Sequence, residues 1–277
     1  MKIFYKAIFI IIIFSLQSCA KKEEEKISKI VTLNQEHELF KTYKEALEGL
    51  NNNDPYFAAK KFLESELAYP QSIWAAKSLL MASYSYYLQE DFVESRFHLE
   101  RYFKTYPNDV NIIYAHYLVA MTYYDTIVDE KTDIAPLLNA KKKFKSIIKN
   151  YPNTEFSVDS IYKINYINEA LASKEIYLGR YYVSKKKWIP AINRFRNILK
   201  QYETSIYTEE AIHRLVEINY HIGLVDESKK YAMLLGYNYA SSEWYKETYK
   251  IYNKDYKKLV IKKEKKGPIK RFKQLFE

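Results

Sequence analysis

The dipeptide Tyr-Pro recurs along the middle of the chain, and the residues before each copy follow a shared register. The copies are Tyr69-Pro70, Tyr106-Pro107 and Tyr151-Pro152, with a degenerate copy at Tyr202-Glu203. Twelve residues before each proline position stands a small side chain, and eight before it a large apolar one. The small residues are Ala58, Ser95, Ala140 and Ala191, and the large ones are Phe62, Leu99, Phe144 and Phe195. This agreement predicts a chain built from copies of one structural unit.

Each unit has the residue spacing of two amphipathic helices. In the segment that ends at Tyr202-Glu203, apolar residues recur every three or four positions along one helix face. They are Trp188, Ala191, Ile192, Phe195, Ile198, Leu199 and Tyr202. Upstream helical patterns run over Phe40–Leu50, Trp74–Leu88, Ile112–Ile127 and Phe156–Val183, and a fifth, weaker pair over Thr208–His221 and Val225–Asn238. The sequence therefore predicts an all-α chain of about five helix pairs, or about ten helices.

The string Leu178, Gly179, Tyr182 adds a packing signal, because a glycine on a helix face lets a second helix approach closely. Together with the small residue and the phenylalanine of the partner helix, it resembles the tetratricopeptide (TPR) repeat. The proline positions lie 37, 45 and 51 residues apart, and the unequal intervals mean that extra residues lengthen helices or loops in the later units. Val128–Ala135 is the expected insertion in the third unit. We expect a TPR-like α-solenoid, which would present a concave face to extended partners.

The N-terminus has the features of a lipoprotein signal peptide. The apolar stretch from Ile3 to Leu16 is shorter than the ~20 residues that span a bilayer and suits a signal-peptide core. Leu16, Ser18 and Cys19 resemble a lipobox, which predicts a signal peptide over residues 1–18. The mature chain would then begin at Cys19 with fatty acids such as palmitate, and residues 19–35 would form the tether. The alternative is an ordinary signal peptide that leaves a free thiol.

The residue after the cysteine, Ala20, favours the outer membrane by analogy with enteric sorting rules, so we expect a lipid anchor on its periplasmic face. The acidic residues soon after the cysteine keep a second possibility open, since such residues promote surface export in some bacteria.

The positive charge of the chain is concentrated near its C-terminus. The formal net charge is +10, and much of the excess follows Trp244. Residues 241–277 are therefore interpreted as a basic extension, helical as far as Ile261 and disordered beyond it. One interpretation is a solvated extension without a partner. The alternative is an extension that binds anionic lipid headgroups or an acidic surface of a partner. A nucleic-acid partner is not expected, because a lipidated, exported protein rarely meets one.

No constellation of residues points to catalysis. The five histidines are scattered, Cys19 is the only cysteine, and five glycines leave little material for a phosphate-binding loop. Neither an H-E-x-x-H nor a G-x-S-x-G motif occurs. We therefore expect no enzyme activity, no metal site and no cofactor other than the lipid on Cys19.

Three strings together resemble the BamD family (also called ComL or YfiO) of TPR lipoproteins in outer-membrane β-barrel assembly. They are Leu79-Leu80, Tyr84, Tyr86-Tyr87 with Glu100-Arg101-Tyr102-Phe103; Tyr151-Pro152-Asn153-Thr154 with Asp159 before a long helix; and Tyr181-Tyr182, Trp188, Asn193-Arg194. The resemblance covers roughly Phe40 to Gly236 and the lipobox.

The resemblance implies a non-catalytic assembly factor with two binding regions. The N-terminal repeats 1–3, over residues 36–152, would bind unfolded outer-membrane proteins through Tyr43, Tyr84, Tyr87 and Arg101. Tyrosines offer apolar contact with a hydroxyl, and a guanidinium pairs with a terminal carboxylate. The C-terminal repeats 4–5, over residues 153–240, would dock on the periplasmic domains of BamA through Tyr181, Lys186, Lys187, Trp188 and Arg194. Other Bam lipoproteins are further candidate partners.

Two features qualify these residue assignments. Trp188 lies on the apolar stripe of its helix, which favours a role in packing, whereas Arg194 lies off that stripe. The repeat itself also permits another function, because TPR folds serve many partners. The alternative is a cell-envelope lipoprotein that acts as a structural adaptor for a peptidoglycan, pilus or surface-nutrient complex.

Overall fold

The computed structural model describes residues 38–68, 70–126 and 133–253. Within these ranges the chain forms eleven helices and no strand. The helices are α1 (38–51), α2 (Pro55–Ala68), α3 (Ala75–Leu88), α4 (Phe92–Thr105), α5 (Ile112–Tyr124), α6 (Ala135–Asn150), α7 (Glu155–Ser184), α8 (Trp188–Gln201), α9 (Thr208–His221), α10 (Val225–Asn238) and α11 (Glu243–Tyr252). The predicted all-α fold of TPR-like helix pairs is confirmed, and the fifth pair has its predicted bounds.

Several predicted features fall outside these ranges. The signal peptide, Cys19 and the tether precede the described residues, most of the expected insertion lies at 127–132, and the tail beyond residue 253 follows them. Of the described helices, none combines the length and the apolar character needed to cross a membrane.

The residues of the predicted register form the centre of each helix pair. The four small residues twelve before the proline position and the four large residues eight before it all have no exposed surface. The small side chains let the paired helices approach, and the large ones fill the remaining space, as close packing of a protein interior requires. The sequence register is therefore a packing register.

A second regularity fixes the turn inside four of the helix pairs. In the fifth pair the register places Ala240 at the proline position. The residue seventeen positions before the proline position has a left-handed backbone in four pairs, at Asn53, Glu90, Lys186 and Gly223, with φ of 58°, 61°, 55° and 86°. In each turn this residue donates its amide to the carbonyl three residues back, and the next residue donates to the carbonyl five back. These are the two hydrogen bonds of a Schellman helix end.

A third regularity fixes the junction between one pair and the next helix. Two residues after each proline position stands a side-chain oxygen that accepts a backbone N–H two or three residues further on. The oxygens belong to Ser72, Asp109, Thr154, Ser205 and Ser242, with N···O distances of 3.1, 2.8, 3.2, 3.2 and 3.1 Å. Such oxygens satisfy amide groups that helix starts leave without a backbone partner.

The described residues divide into two compact units. Unit 1 contains the described residues up to Thr126 together with Lys142–Ser157, and unit 2 contains residues 133–141 and 158–253. One core cluster of unit 1 includes Leu79, Leu99 and Tyr102. The main cluster of unit 2 is Ile176, Ala191, Ile192, Phe195, Ile198, Ala211, Leu215 and Ile218.

The first part of the predicted C-terminal extension is packed into unit 2. Helix α11 contacts α9, where His213 Nδ1 lies 2.7 Å from Thr248 Oγ1 and the His213 ring lies 5.1 Å from that of Trp244. Tyr252 Oη lies 2.5 Å from Ser228 Oγ on α10. The helix expected to reach Ile261 is described only to Tyr252, with Asn253 as its C-cap, and the residues after Asn253 lie outside the described part.

Candidate functional site

Tyr84 and Tyr87 lie on α3 in unit 1 and stack against each other. Their ring centroids are 6.1 Å apart with an interplanar angle of 24°. Both are half-buried against the core cluster of Leu79, Leu99 and Tyr102, so part of each ring stays open to solvent. Burial, together with a hydrogen bond of 2.5 Å that the Tyr87 hydroxyl donates to Asp125, raises the pKa of Tyr87. The pair forms a partly accessible aromatic surface.

Arg101 is held in place by a buried carboxylate. Its Nη2 donates to Glu66 Oε2 at 2.8 Å, and the Tyr106 hydroxyl donates to the other oxygen of Glu66 at 3.1 Å. The side chain of Glu66 is 5% exposed and that of Arg101 is 32% exposed. Arg101 Nε is buried and finds no hydrogen-bond partner among the described residues. The guanidinium is thus fixed by one carboxylate while part of it reaches solvent.

Tyr43 is a core residue of unit 1. It is 4% exposed, and its ring lies 5.1 Å from Phe62 and 5.3 Å from Trp74. Burial raises the pKa of its hydroxyl. Tyr43 therefore offers almost no surface for a partner and supports the packing of α1 on α2.

Three of the predicted docking residues lie at the exposed turn between α7 and α8 in unit 2. Tyr181 is 49% exposed, and Lys186 and Lys187 are exposed beside it in the chain. Lys186 is also the left-handed residue of the turn, which fixes the backbone that carries both lysines. This turn is a positively charged edge with one aromatic ring.

The other two predicted docking residues have partners inside unit 2. Trp188 packs against the main core cluster with its ring 4.8 Å from that of His221, as its place on the apolar stripe indicates. Arg194 Nη1 lies 3.2 Å from Glu175 Oε1, and the Arg194 side chain is 39% exposed. Arg194 therefore joins α8 to α7 while part of its guanidinium remains accessible.

Sequence reasoning missed the acidic partners Glu66 and Glu175. Glu66 stands four residues after Phe62, on the buried side of α2, and an acidic residue at such a position is a signal for a buried ion pair. Glu175 stands next to the buried Ile176 in the chain, and its sequence position does not indicate a buried carboxylate. Its side chain lies at the edge of the contact between α7 and α8.

A further charged network, also missed, joins α7 to α9. The Glu210 side chain is 5% exposed and accepts hydrogen bonds from Arg180 Nε at 2.8 Å and Arg214 Nε at 3.3 Å. Burial raises the pKa of the neighbouring Glu217, but hydrogen bonds from His213 and Arg214 outweigh burial and lower it to about 2. These contacts satisfy one another and hold helices together. Within the described ranges, no group of three or more His, Cys, Asp and Glu residues is placed to bind a metal ion.

Comparison with known proteins identifies the family. A family model described as "YfiO: Outer membrane lipoprotein" matches residues 35–234. The chain belongs to this family. The "Outer membrane protein assembly factor BamD" of Rickettsia prowazekii (strain Madrid E) is 36% identical over 76% of this chain and 83% of its own length. The protein of the same name from Caulobacter vibrioides is 34% identical over 78% of this chain and 70% of its own length.

The resemblance to the BamD family is thereby confirmed, and so is the expectation of a non-enzymatic protein, because the family members are named assembly factors. A solved structure of PilW, a type IV pilus biogenesis factor, aligns with 75% of this chain and 96% of its own at 11% identity. Its TM-score of 0.32 is too low to bear on fold or function.

Proposed function

We propose that this chain is a non-catalytic outer membrane protein assembly factor, held at the periplasmic face of the outer membrane by lipid on Cys19. The observation that carries the proposal is the family match over residues 35–234, together with relatives named for this role. The lipobox around Cys19 supports the anchor, and two or three acyl chains hold a protein firmly where one would not. No cofactor besides this lipid is part of the proposal.

Client binding is assigned to the N-terminal repeats. The stacked Tyr84 and Tyr87 supply a surface for apolar and aromatic side chains, and the accessible part of Arg101 supplies a cation for a chain-terminal carboxylate. Because Glu66 fixes the guanidinium before a client arrives, little side-chain entropy is lost on binding. Tyr43 contributes by packing α1 against Phe62 on α2.

Docking on BamA is assigned to the turn between α7 and α8. Tyr181, Lys186 and Lys187 are accessible there, and Arg194 adds a partly accessible cation on the following helix. Trp188 holds the two helices together under this surface. Other Bam lipoproteins are further proposed partners.

The test is a pull-down with the tagged full chain from detergent-solubilised outer membranes, followed by mass spectrometry of the co-purified proteins. We expect BamA among them. If no barrel protein co-purifies, the structural-adaptor alternative replaces this proposal. Mass spectrometry of the mature N-terminus tests the anchor separately. We expect an acylated Cys19, and we expect the Cys19→Ser variant to be lost from the membrane fraction, whereas an unmodified N-terminus would contradict the anchor.

A further inference from the structure

The second half of α6, which belongs to unit 1, has a basic outer face. Between Lys142 and Asn150 the helix contains four lysines and no aspartate or glutamate. All four lysines are exposed, at Lys142, Lys143, Lys145 and Lys149. Lys142, Lys145 and Lys149 follow one another at intervals of three and four residues, so they lie along one helix face. This lysine row is about 10 Å long.

The opposite face of the same segment is packed into unit 1. Phe144 and Ile147 are buried, and the ring centroid of Phe144 lies 5.9 Å from that of Tyr117 and 6.0 Å from that of Tyr124 on α5. This packing fixes which face of α6 meets solvent, and that face carries the lysine row.

The charges of the lysine row are not neutralised within the described part of the chain. Elsewhere, exposed lysines pair with an acidic residue three positions away in their own helix, as Lys229 does with Asp226 and Lys250 with Glu247. None of the four lysines of α6 forms an ion pair with a carboxylate of the described residues. The positive charge of this face is therefore available to a partner.

The lysines also act on one another and on a neighbouring helix. Like charges three or four residues apart on a helix repel each other, as Lys142 and Lys149 both repel Lys145. On α5, the pKa of His116 is lowered, first by burial and then by the charge of Lys143. A partner with several closely spaced negative charges would relieve this repulsion, and the row thus favours a polyanionic surface.

The residue types of this face favour a lipid surface over a protein surface. Protein interfaces are enriched in arginine and aromatic residues and depleted in lysine. The exposed residues between positions 142 and 150 are lysine, serine and asparagine, with neither arginine nor an aromatic ring among them. About four to eight basic residues grouped on an amphipathic helix are typical of segments that bind anionic headgroups.

We propose that Lys142, Lys143, Lys145 and Lys149 bind the headgroups of anionic phospholipids at a membrane surface. This contact goes beyond the proposed function, since it needs neither a client nor BamA. Where it is combined with the proposed anchor at Cys19, the lysine row selects the face of unit 1 that turns towards the bilayer.

Co-sedimentation with vesicles tests the proposal. The mature chain carries Cys19→Ser, so the absence of acyl chains makes the result independent of the proposed anchor. The vesicles contain either phosphatidylcholine alone or equal amounts of phosphatidylcholine and phosphatidylglycerol. Lys142→Gln/Lys145→Gln/Lys149→Gln removes the lysine row. The matched control, Lys229→Gln/Lys246→Gln/Lys250→Gln, removes the same charge from lysines that have acidic partners in α10 and α11.

We expect the row variant to bind the mixed vesicles about tenfold or more weakly than the control variant, because three cations near an anionic surface are lost. The control variant should bind like the parent chain, and added salt should weaken its binding. Binding to phosphatidylcholine alone should be absent. Both variants keep the residues beyond 253, so any binding by the basic C-terminal extension is common to the two and cancels in the comparison.

The thermal midpoint separates a binding role from a structural one. The row variant should keep or raise the midpoint, since repulsion within α6 is removed. If the triple variant does not fold, Lys145→Gln interrupts the centre of the row and should show a smaller loss in the same assay. Equal vesicle binding by the row and control variants would overturn the proposal. Binding of the parent chain to polyglutamate but not to the mixed vesicles would also overturn it, and would indicate an acidic protein partner.

Discussion

Gly179 on α7 faces the ring of Phe195 on α8 so closely that a Cβ at Gly179 would lie 2.3 Å from Cε1 of Phe195. The ring is fully buried in the main cluster of unit 2, between Ile176, Ala191 and Ile198, and has little room to withdraw. A side chain at Gly179 would therefore force the two helices apart or push the ring off its rotamer.

We expect Gly179→Ala to lower the free energy of unfolding by about 1–3 kcal/mol because of this clash. Alanine is the better helix former by about 1 kcal/mol, so a gain in stability would show that the ring yields easily. Urea unfolding followed by circular dichroism measures the effect. The double variant Gly179→Ala/Phe195→Leu should lose less than the sum of the single variants, since a smaller side chain relieves the clash. Additive losses would contradict this mechanism.

The pair of Glu66 and Arg101 is expected to contribute to stability as well as to client binding. Arg101→Met leaves the buried Glu66 carboxylate with only the Tyr106 hydroxyl, so we expect a loss of about 2–4 kcal/mol in urea unfolding. Arg101→Met/Glu66→Gln should recover most of this loss, because the amide carries no charge. A double variant no more stable than Arg101→Met would mean that the guanidinium stabilises unit 1 by other contacts.

The same double variant isolates the role of the Arg101 guanidinium in client binding. We expect it to bind a peptide with a free C-terminal carboxylate several-fold more weakly than the wild type does, as measured by fluorescence anisotropy. The wild type should lose a similar amount of affinity when the peptide is amidated, and the variant should not. Equal sensitivity to amidation in both proteins would remove Arg101 from the client-binding site.

Glu217 is expected to give unit 2 an acid-sensitive contribution to stability. Its folded pKa of about 2 lies below the usual 4.5, so the stabilisation is present above about pH 4.5 and is lost as pH falls towards 2. The side chain is 41% exposed, and after solvent screening we expect a contribution of about 1 kcal/mol. The difference in urea unfolding between wild type and Glu217→Gln should shrink from pH 5 to pH 2. A constant difference would contradict the assignment.

Arg194 is predicted to contact BamA, and the ion pair with Glu175 makes a sharp test possible. Arg194→Glu should weaken BamA co-purification, but it also places two carboxylates together and costs some stability. The exchange variant Arg194→Glu/Glu175→Arg restores the ion pair between α7 and α8, with the positive charge now on α7 and the negative charge on α8. We expect it to regain the wild-type thermal midpoint and still to bind BamA poorly. Recovery of BamA binding would show that Arg194 only positions α8.

Lys186 allows a charge to be removed without disturbing its turn. At φ of 55° a glycine is free of the steric cost that a lysine bears, and this offsets the entropy that glycine loses on folding. We expect Lys186→Gly to change the free energy of unfolding by less than about 1 kcal/mol and to reduce BamA co-purification. Lys187→Ala is the comparison at a position without a left-handed backbone. Undiminished co-purification in both variants would exclude the lysines from docking.

The helix pairs were predictable because their signals are local. Ala191 and Phe195 stand four apart on one helix, and the same interval recurs in four copies, so the buried face follows from the sequence. The left-handed turn at Gly223 carries a glycine as its signal, whereas the equivalent turns at Glu90 and Lys186 carry none. There, the surrounding helix pair imposes a conformation that the side chain itself disfavours.

The candidate site was only partly predictable, because its pairings join distant parts of the chain. Arg101 was recognised as a cation, but its partner Glu66 lies 35 residues away and no spacing connects them. The family resemblance implies a place for Tyr43 on a binding surface, whereas Tyr43 lies in the core against Phe62. An aromatic residue on an amphipathic helix has the same sequence signature in either place.

The side-chain oxygens at the five junctions, from Ser72 to Ser242, have a consequence for how such chains can evolve. Each junction has a hydrogen bond between atoms that lie within three residues of one another, and at Ser205 the hydroxyl and the following amide also donate to the distant Glu169. A stretch of gene copied from one junction to the next would carry the local hydrogen bond at its end. Duplication of a helix pair could then lengthen the protein without any need for new connecting sequence.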